Sequence, residues 1–387
     1  MSASLSPTDV DIETALDATL RQAEAGNFAA AEQSCIALLG LLSQDGPQRD
    51  GAIYLLAMIR RDMGRPEEVV AFFKQAAESA GATAFHIMNY ADCLARLGYV
   101  DEATRQYRRV SDSEPDAGRE IENLTTRPFF PAFAGAHQPA RQAYMAAAIH
   151  RKRQGDGPLR ILEIGSYIGA SAFSWTSAAA ALTERGTIIH CVDKWAAYDA
   201  PGVGTDALTL SLASGAAGRL FQHNLRFFPP QATIERFEGT SSAIMPTLTG
   251  PYDLIYLDGS HLYDDVRSDL RMSQPLLAEG GFLCGDDLER QLADCDEASL
   301  RASIAHDIIP DSGPDQFLHP GVTLAVGEMF GPVSAYRGFW IMEKRGNGFR
   351  PVSLTGATGW LPRHWPDQQQ TRVAADIQAD GILAGLV

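Results

Sequence analysis

The sequence is short of several things, and each shortage removes a class of protein. Its 387 residues hold five cysteines, Cys35, Cys93, Cys191, Cys284 and Cys295, with no C-x-x-C pair among them. That excludes a disulfide framework and reads as reduced thiols in a cytoplasmic protein. The N-terminal stretch MSASLSPTDVDIETALD is acidic and lacks the basic-then-apolar order of a secretory signal. No run approaches the roughly 18 apolar residues of a membrane span. Positive charge is also scarce, 32 Lys and Arg against 48 Asp and Glu, for a net charge of −16. Nucleic acid and anionic membrane are therefore poor candidate partners. What is present is a hydrophobic content of 45%, ample for a core, and a length that suits two domains.

The first third repeats itself. In AFHIMNYADCLARLGYVDEATRQYRRVSDSEPDA (84–117), Ala91 is small enough for close helix contact, Gly98 closes a first helix, and Ala103 and Tyr107 lie on a second that Pro115 ends. Residues 50–81 match with Ala57, Gly64, Val69, Phe73 and Ala76, and residues 12–39 match with Gly26, Ala31 and Cys35. The Gly-to-Gly spacings are 38 and 34, so the first unit carries about four extra residues. This resembles tetratricopeptide repeats, helix–turn–helix units that bury their apolar faces only against their neighbours. The resemblance implies a helical repeat domain over 1–117. It would bind a protein partner, self-associate into a homo-oligomer, or simply extend the next domain. A linker is expected over 118–142, where prolines interrupt helix and Phe129, Phe130 and Phe133 plug a seam or cover a pocket.

From about residue 143 short apolar runs alternate with helical stretches. The runs are LRILEIGS (159–166), GTIIHCVD (186–193), ATIERFEG (232–239), YDLIYLDG (252–259) and GGFLCGDD (280–287). The segment 205–228 reads as helix broken at Gly215. YRGFWIMEK and GFRPVSL suggest a closing antiparallel hairpin. The pattern predicts an α/β fold, a doubly wound, mostly parallel Rossmann-like sheet over 143–355, with an extension over 356–387. Trp360 and Trp365 in that extension line a sugar pocket or anchor the tail. Ligands of such a sheet lie beyond the carboxyl ends of its strands.

The first strand–helix junction, EIGSYIG, sets Glu163, Gly165, Ser166 and Gly169 ahead of a helix opened by Ala170 and Ser171. This is not the G-x-G-x-x-G dinucleotide spacing. Glycine lets backbone approach a ligand closely, and an acid two residues before it suits an ammonium group. Asp193, at the end of the second run, suits the two hydroxyls of a ribose. Thr240 and Ser241, after the third, suit an adenine edge. The alternative is another nucleotide-binding α/β protein with Glu163 as a structural cap. Together these residues resemble class I S-adenosylmethionine-dependent methyltransferases, over about 140–345. The resemblance implies S-adenosylmethionine held by Glu163, Gly165, Ser166, Gly169, Ser171, Asp193, Thr240, Ser241 and Asp258.

The resemblance also implies that the fourth and fifth strands are neighbours, so Asp258 and the pair Asp286–Asp287 converge at about one strand spacing. Three carboxylates repel unless neutralised, and Mg²⁺ suits such a set. His261, three residues past Asp258, is a candidate general base with Asp258 beside it; the plainer alternative is a helix cap. Asp264, Asp265 and Asp269 read as solvated, His190 as core, and His86 and His223 as helix residues without metal-ligand spacing. The set Asp258-Gly-Ser-His261 with Asp286–Asp287 resembles the metal-dependent macrolide sugar O-methyltransferases of the macrocin and mycinamicin type. HPGVTLAVGEMFG (319–331) resembles a segment of the same group, a turn and then a helix. The resemblance implies methyl transfer to a hydroxyl of a sugar or glycosylated natural product. The repeats depart from that pattern. They leave open a peptide or carrier-bound acceptor, or a scaffold that keeps the fold without the chemistry.

Overall fold

A computed structural model gives the fold and describes residues 7–43, 46–131, 139–197, 207–311 and 317–387, with side chains from residue 12 onward. Phe133 lies outside the described residues. The chain divides into two compact units, 1–135 with 204–223, and 136–203 with 224–387.

The first unit is helical: α1 (Pro7–Glu24), α2 (Phe28–Leu41), α3 (Pro47–Asp62), α4 (Val70–Glu78), α5 (Ala84–Arg96), α6 (Val100–Arg108) and α7 (Pro115–Thr126). Gly26, Gly64 and Gly98 follow α1, α3 and α5 with φ of 80°, 79° and 77°, the left-handed turn that glycine makes at least cost. Ala57, Ala91 and Ala103 are buried with Phe73 and Tyr107 in one core, and Ala31 and Cys35 in a second. In the second repeat Ala77, not its neighbour Ala76, is buried.

The linker expected over 118–142 needs correction. Proline at a first helical position starts a helix, because its missing N–H is not needed there. Pro115 thus opens α7, which puts Ala117 and Leu124 into the helical core, with Phe129 packed against it.

The second unit contains α8 (Ala140–Arg151), β1 (Leu159–Ile164), α9 (Ala170–Leu182) and β2 (Thr187–Asp193). Next come α10 (Ala207–Ala213) and α11 (Ala216–Asn224), separated at Gly215 as its left-handed φ of 73° requires. Residues 207–223 of this pair group with the helical unit, which corrects the expected division at 142. Arg219 Nε donates to the Leu97 carbonyl at 2.8 Å, and a Cβ on Gly98 would lie 2.6 Å from that of Arg219.

β3 (Ala232–Glu238), α12 (Ser241–Ile244), β4 (Tyr252–Leu257), α13 (Tyr263–Leu276) and β5 (Leu277–Leu288) follow. Then come α14 (Glu297–Ala302), the short pair β6 (Ile309–Pro310) and β7 (Phe317–Leu318), and α15 (Pro320–Phe330). The chain closes with β8 (Ser334–Tyr336), β9 (Gly338–Arg345), β10 (Gly348–Pro351), β11 (Thr358–Gly359), α16 (Asp367–Asp380) and β12 (Gly385–Leu386). The main sheet has the order β10-β9-β5-β4-β1-β2-β3, with β8 beside β9. β1 to β5 run parallel, and β9 and β10 form the expected antiparallel hairpin. The chain reverses direction across the sheet at β1, so the strand ends of β1, β2, β4 and β5 open on one crevice.

Leu162, Ile164, Ile255, Leu283 and Trp340 form the core under that edge. The last 32 residues are part of this unit rather than an appendage. Tyr144 Oη donates to Asp380 Oδ2 at 2.5 Å, and Trp360 is buried, as an anchor is. All five cysteines are free thiols, as the sequence suggests. No helix among the described residues is long and apolar enough to cross a membrane.

Candidate active site

The carboxyl edge of β1 and β2 is tied together locally. Glu163, near the end of β1, is fully buried, and Ser166 donates to its Oε2 at 2.5 Å. Its Oε1 is buried without a hydrogen bond. Burial pushes the carboxyl up to about 7, while Ser166 and Ser171, on the first turn of α9, pull the other way. Gly169 begins α9 with φ of 86°. Asp193, ending β2, accepts the N–H of Tyr167 at 2.7 Å and that of Trp195 at 2.6 Å. Burial raises its pKa against those two donors. Tyr167 and Trp195 both have positive φ, 46° and 43°, a strain that persists only where surroundings enforce it.

Gly165 serves the protein itself. A Cβ there would lie 1.9 Å from the Asp258 carbonyl oxygen, so glycine lets the ends of β1 and β4 meet. The sequence reading gave that space to a ligand. Thr240 caps α12 by accepting the Ala243 N–H at 3.3 Å. Ser241 turns toward Asp269 of α13.

The edge of β4 and β5 is charged. Asp258 follows β4 and accepts from Tyr256 Oη at 3.2 Å. Desolvation raises its pKa well above the ordinary range, with Asp286 and Asp287 adding to the shift. Asp286 and Asp287 lie on β5, and an arginine reaches both. Arg141, on the first turn of α8, reaches Asp286 Oδ2 at 2.6 Å and Asp287 Oδ1 at 3.2 Å, and its Nε donates to the Arg337 carbonyl at 2.7 Å. The sequence reading missed Arg141, and no local motif announces it.

Arg141 pairs with one oxygen of Asp286 and one of Asp287, and so supplies part of the positive charge that the expected Mg²⁺ set of Asp258, Asp286 and Asp287 calls for.

His261 also departs from its expected surroundings. Its Nε2 lies 3.0 Å from Asp287 Oδ2 and its Nδ1 2.9 Å from Asp307 Oδ1. Burial disfavours the charged ring, yet Asp287 and Asp307 outweigh it and hold the pKa well above the ordinary value. Asp287, in turn, is held well below the carboxylate range; burial would raise it, and His261, His319 and Arg141 prevail. With a carboxylate at each nitrogen, the ring presents no open acceptor nitrogen to a substrate hydroxyl.

His319, which the sequence reading left without a role, is buried beside it, with ring centroids 4.6 Å apart. The sequence HPG explains the placement. Pro320 sits in the first turn of α15, and Gly321 has room only for hydrogen, since a Cβ would lie 2.2 Å from the His261 carbonyl oxygen.

Asp264 and Asp265 are exposed as expected, but Asp269 is buried and corrects the solvated reading. Its Oδ1 has no hydrogen bond, and burial pushes its pKa up to about 7. Asp269 lines a cavity of about 20 Å³ with Asp258, Ser260, His261, Asp287 and Trp340. A wider open groove by Arg153, Asp156, Glu184 and Arg185 lies at the opposite ends of β1 and β2 and holds none of these strand-end acids. His190 is core, as expected, bonded through Nδ1 to Tyr252 Oη at 2.7 Å.

Residues 162–288 match a family model described as a methyltransferase domain. The matched span runs from β1 to β5 and leaves out Arg141, Asp307 and His319. A comparison with curated proteins found no match. Among solved structures, the apo TDP-rhamnose 3′-O-methyltransferase CalS11 of calicheamicin biosynthesis aligns at 17% identity and TM-score 0.34, over 63% of this chain and 94% of its own. The O-methyltransferase NovP aligns at 17% identity and TM-score 0.37, over 55% and 84%. The Bacillus cereus O-methyltransferase, in complex with SAH, aligns at 15% identity and TM-score 0.34, over 61% and 94%. At such scores the likenesses carry no argument, and the fold rests on the strand order.

Proposed function

We propose that the α/β unit is an S-adenosylmethionine-dependent O-methyltransferase acting on a hydroxyl of a sugar or glycosylated natural product. The observation that carries the reading is the crevice at the sheet reversal, inside the matched segment. One half of it presents the buried Glu163 Oε1 and the Asp193 carboxylate, and the other half presents Asp258. When bound, S-adenosylmethionine supplies an electrophilic methyl group.

The residues fit that group. Glu163 Oε1 is an unsatisfied buried acceptor suited to an ammonium. A neighbouring cation would ionise a carboxyl whose pKa burial has raised. Asp193 uses two of about four acceptor positions on its own backbone, which leaves others for ribose hydroxyls. A hydroxyl acceptor would have to give up its proton to a base of this chain. We assign that proton to Asp258, because both nitrogens of His261 face carboxylates. Positioning of the two reactants supplies much of the rate.

A divalent cation belongs to the reading, with Arg141 competing for two of the three expected Mg²⁺ carboxylates. The sugar preference comes from the family resemblance. The helix pairs act, in the same reading, as tetratricopeptide-like repeats that recruit a protein partner or a second copy.

The test is incubation of the purified full chain with labelled S-adenosylmethionine and a panel of glycosylated and non-glycosylated hydroxyl acceptors. Label should move to a sugar hydroxyl, and Asp258→Asn should lower turnover by about 10²–10⁴-fold. Absence of cofactor binding by calorimetry would end the proposal.

A further inference from the structure

Three side chains, only one of them from the expected three-acid set, converge at the end of β5. His261, Asp287 and His319 each present a ligand atom, all within 4.8 Å of one another. They come from three places: the loop after β4, β5 itself, and the residue before α15. Asp287 is placed by a left-handed backbone, φ 62°, that a non-glycine residue adopts only under constraint. His319 is placed by the tight seating of Gly321 on the His261 loop.

The surroundings of the two imidazoles agree. Nδ1 of His261 faces Asp307 Oδ1 at 2.9 Å, and Nδ1 of His319 faces Glu289 Oε1 at 3.1 Å. The His319 backbone N–H also donates to Glu289 Oε2 at 3.1 Å. Each ring thus has a carboxylate at Nδ1, and Nδ1 of His319 lies 3.9 Å from Asp287 Oδ1 as well. In metal sites a carboxylate in that position fixes the proton there, leaves the other nitrogen with its lone pair, and orients the ring. Neither Asp307 nor Glu289 belongs to the three-acid set, and an acid–base role for His261 alone would not need a second, similarly held histidine beside it.

We propose that His261, Asp287 and His319 form a binding site for a first-row transition dication, with Asp307 and Glu289 as positioning residues. The inference deepens the proposed function and rests on it only in naming the ion that reading calls for. Two imidazoles and one carboxylate are the ligand chemistry of Zn²⁺, Mn²⁺, Fe²⁺ or Co²⁺, whereas Mg²⁺ selects oxygen ligands and retained water. Arg141 pairs with Asp286 at 2.6 Å, and Asp286 is not among the three clustered side chains. The cavity lined by Asp258, His261 and Asp287 adjoins two of the three ligands, so an ion there lies beside the candidate acceptor position.

The experiment uses the full chain, stripped of metal by dialysis against chelator. Co²⁺ is titrated while its visible absorption is followed, and Zn²⁺ and Mg²⁺ are titrated by calorimetry. One Co²⁺ or Zn²⁺ should bind per chain, well ahead of Mg²⁺, with the intense visible bands of a low-coordinate Co²⁺ site. His319→Ala and Asp287→Asn should abolish those bands, and Asp307→Asn should weaken binding by about 10–100-fold. Asp286→Asn should leave the bands in place. Circular dichroism checks folding of each variant, and His319→Gln replaces any variant that does not fold.

Preferential Mg²⁺ binding that survives His319→Ala and is lost in Asp286→Asn would overturn the proposal in favour of the three-acid site. No binding of any of the three ions would overturn it outright. Calorimetry with S-adenosylmethionine on the same stripped protein separates the two readings. Cofactor binding without Co²⁺ binding sinks only the metal site, and Co²⁺ binding without cofactor binding sinks only the methyltransferase reading.

Discussion

The two halves of the strand-end crevice solve the same problem in opposite ways. On the β1–β2 half, Glu163 and Asp193 take their partners from residues close by in the chain or on the adjoining strand end: Ser166, Tyr167 and Trp195. On the β4–β5 half, the partners of Asp286 and Asp287 come from far along the chain. Arg141 is 146 residues from Asp287, and His261 and His319 flank it from two other elements. The first half is a motif and the second is an assembly. A local cluster is set by neighbouring backbone, whereas an assembled one exists only when the whole unit is packed.

The largest expected effect tests that contrast. Arg141→Met leaves Asp286 buried without its counter-charge and should cost about 3–5 kcal/mol of stability in denaturant titration. Ser166→Ala on the other half should cost only about 1–3 kcal/mol. Equal losses would break the comparison.

A second test uses Asp269, whose folded pKa near 7 is raised above the roughly 3.9 of the unfolded chain. A raised acid contributes stability that is fully present below about pH 4 and is lost as pH rises through 7, by up to about 4 kcal/mol. Asp269→Asn removes that loss. The variant's melting temperature should gain on the wild type steadily between pH 4 and 8, and a flat difference would show that the carboxyl ionises freely.

Smaller is the effect of Glu163→Gln on cofactor affinity. Loss of a charged acceptor for the ammonium should weaken S-adenosylmethionine binding by about 1.5–3 kcal/mol in calorimetry, with the fold intact. Smallest is Asp264→Asn, at an exposed position one turn and a half from Asp269 on the same helix. It should change stability by no more than about 0.5 kcal/mol, so a larger shift would mean that the solvated and buried acids of α13 are coupled.

The same contrast explains what was legible in the sequence. Strand runs, the break at Gly215, the closing hairpin and the repeat glycines each depend on local pattern, and each appears in the fold. Glu163 and Asp193 were found for the same reason, as strand-end residues beside a glycine turn. Arg141 was not, because a lone arginine in AYMAAAIHRKR's preceding turn carries no sign of what it meets. His319 gave a weak signal, the triplet HPG at a helix start, which fixes a tight turn but says nothing of the neighbouring loop. Asp269 was misread because a spacing of four from Asp265 marks a shared helix flank, while burial depends on how α13 rolls against the sheet. Gly165 was found for the wrong reason, since its missing Cβ makes room for the Asp258 carbonyl.

Arg141 also decides where the chain can be cut. A shortened chain begun at residue 143, where the strand–helix alternation starts, would lose the guanidinium that holds the end of β5 and leave Asp286 without its ion pair. One ended at 355 would lose Asp380, the acceptor for both Tyr144 and Arg337. The smallest fragment that keeps these charges balanced starts ahead of α8 and runs through α16, so it is longer at both ends than the segment that family resemblance marks out.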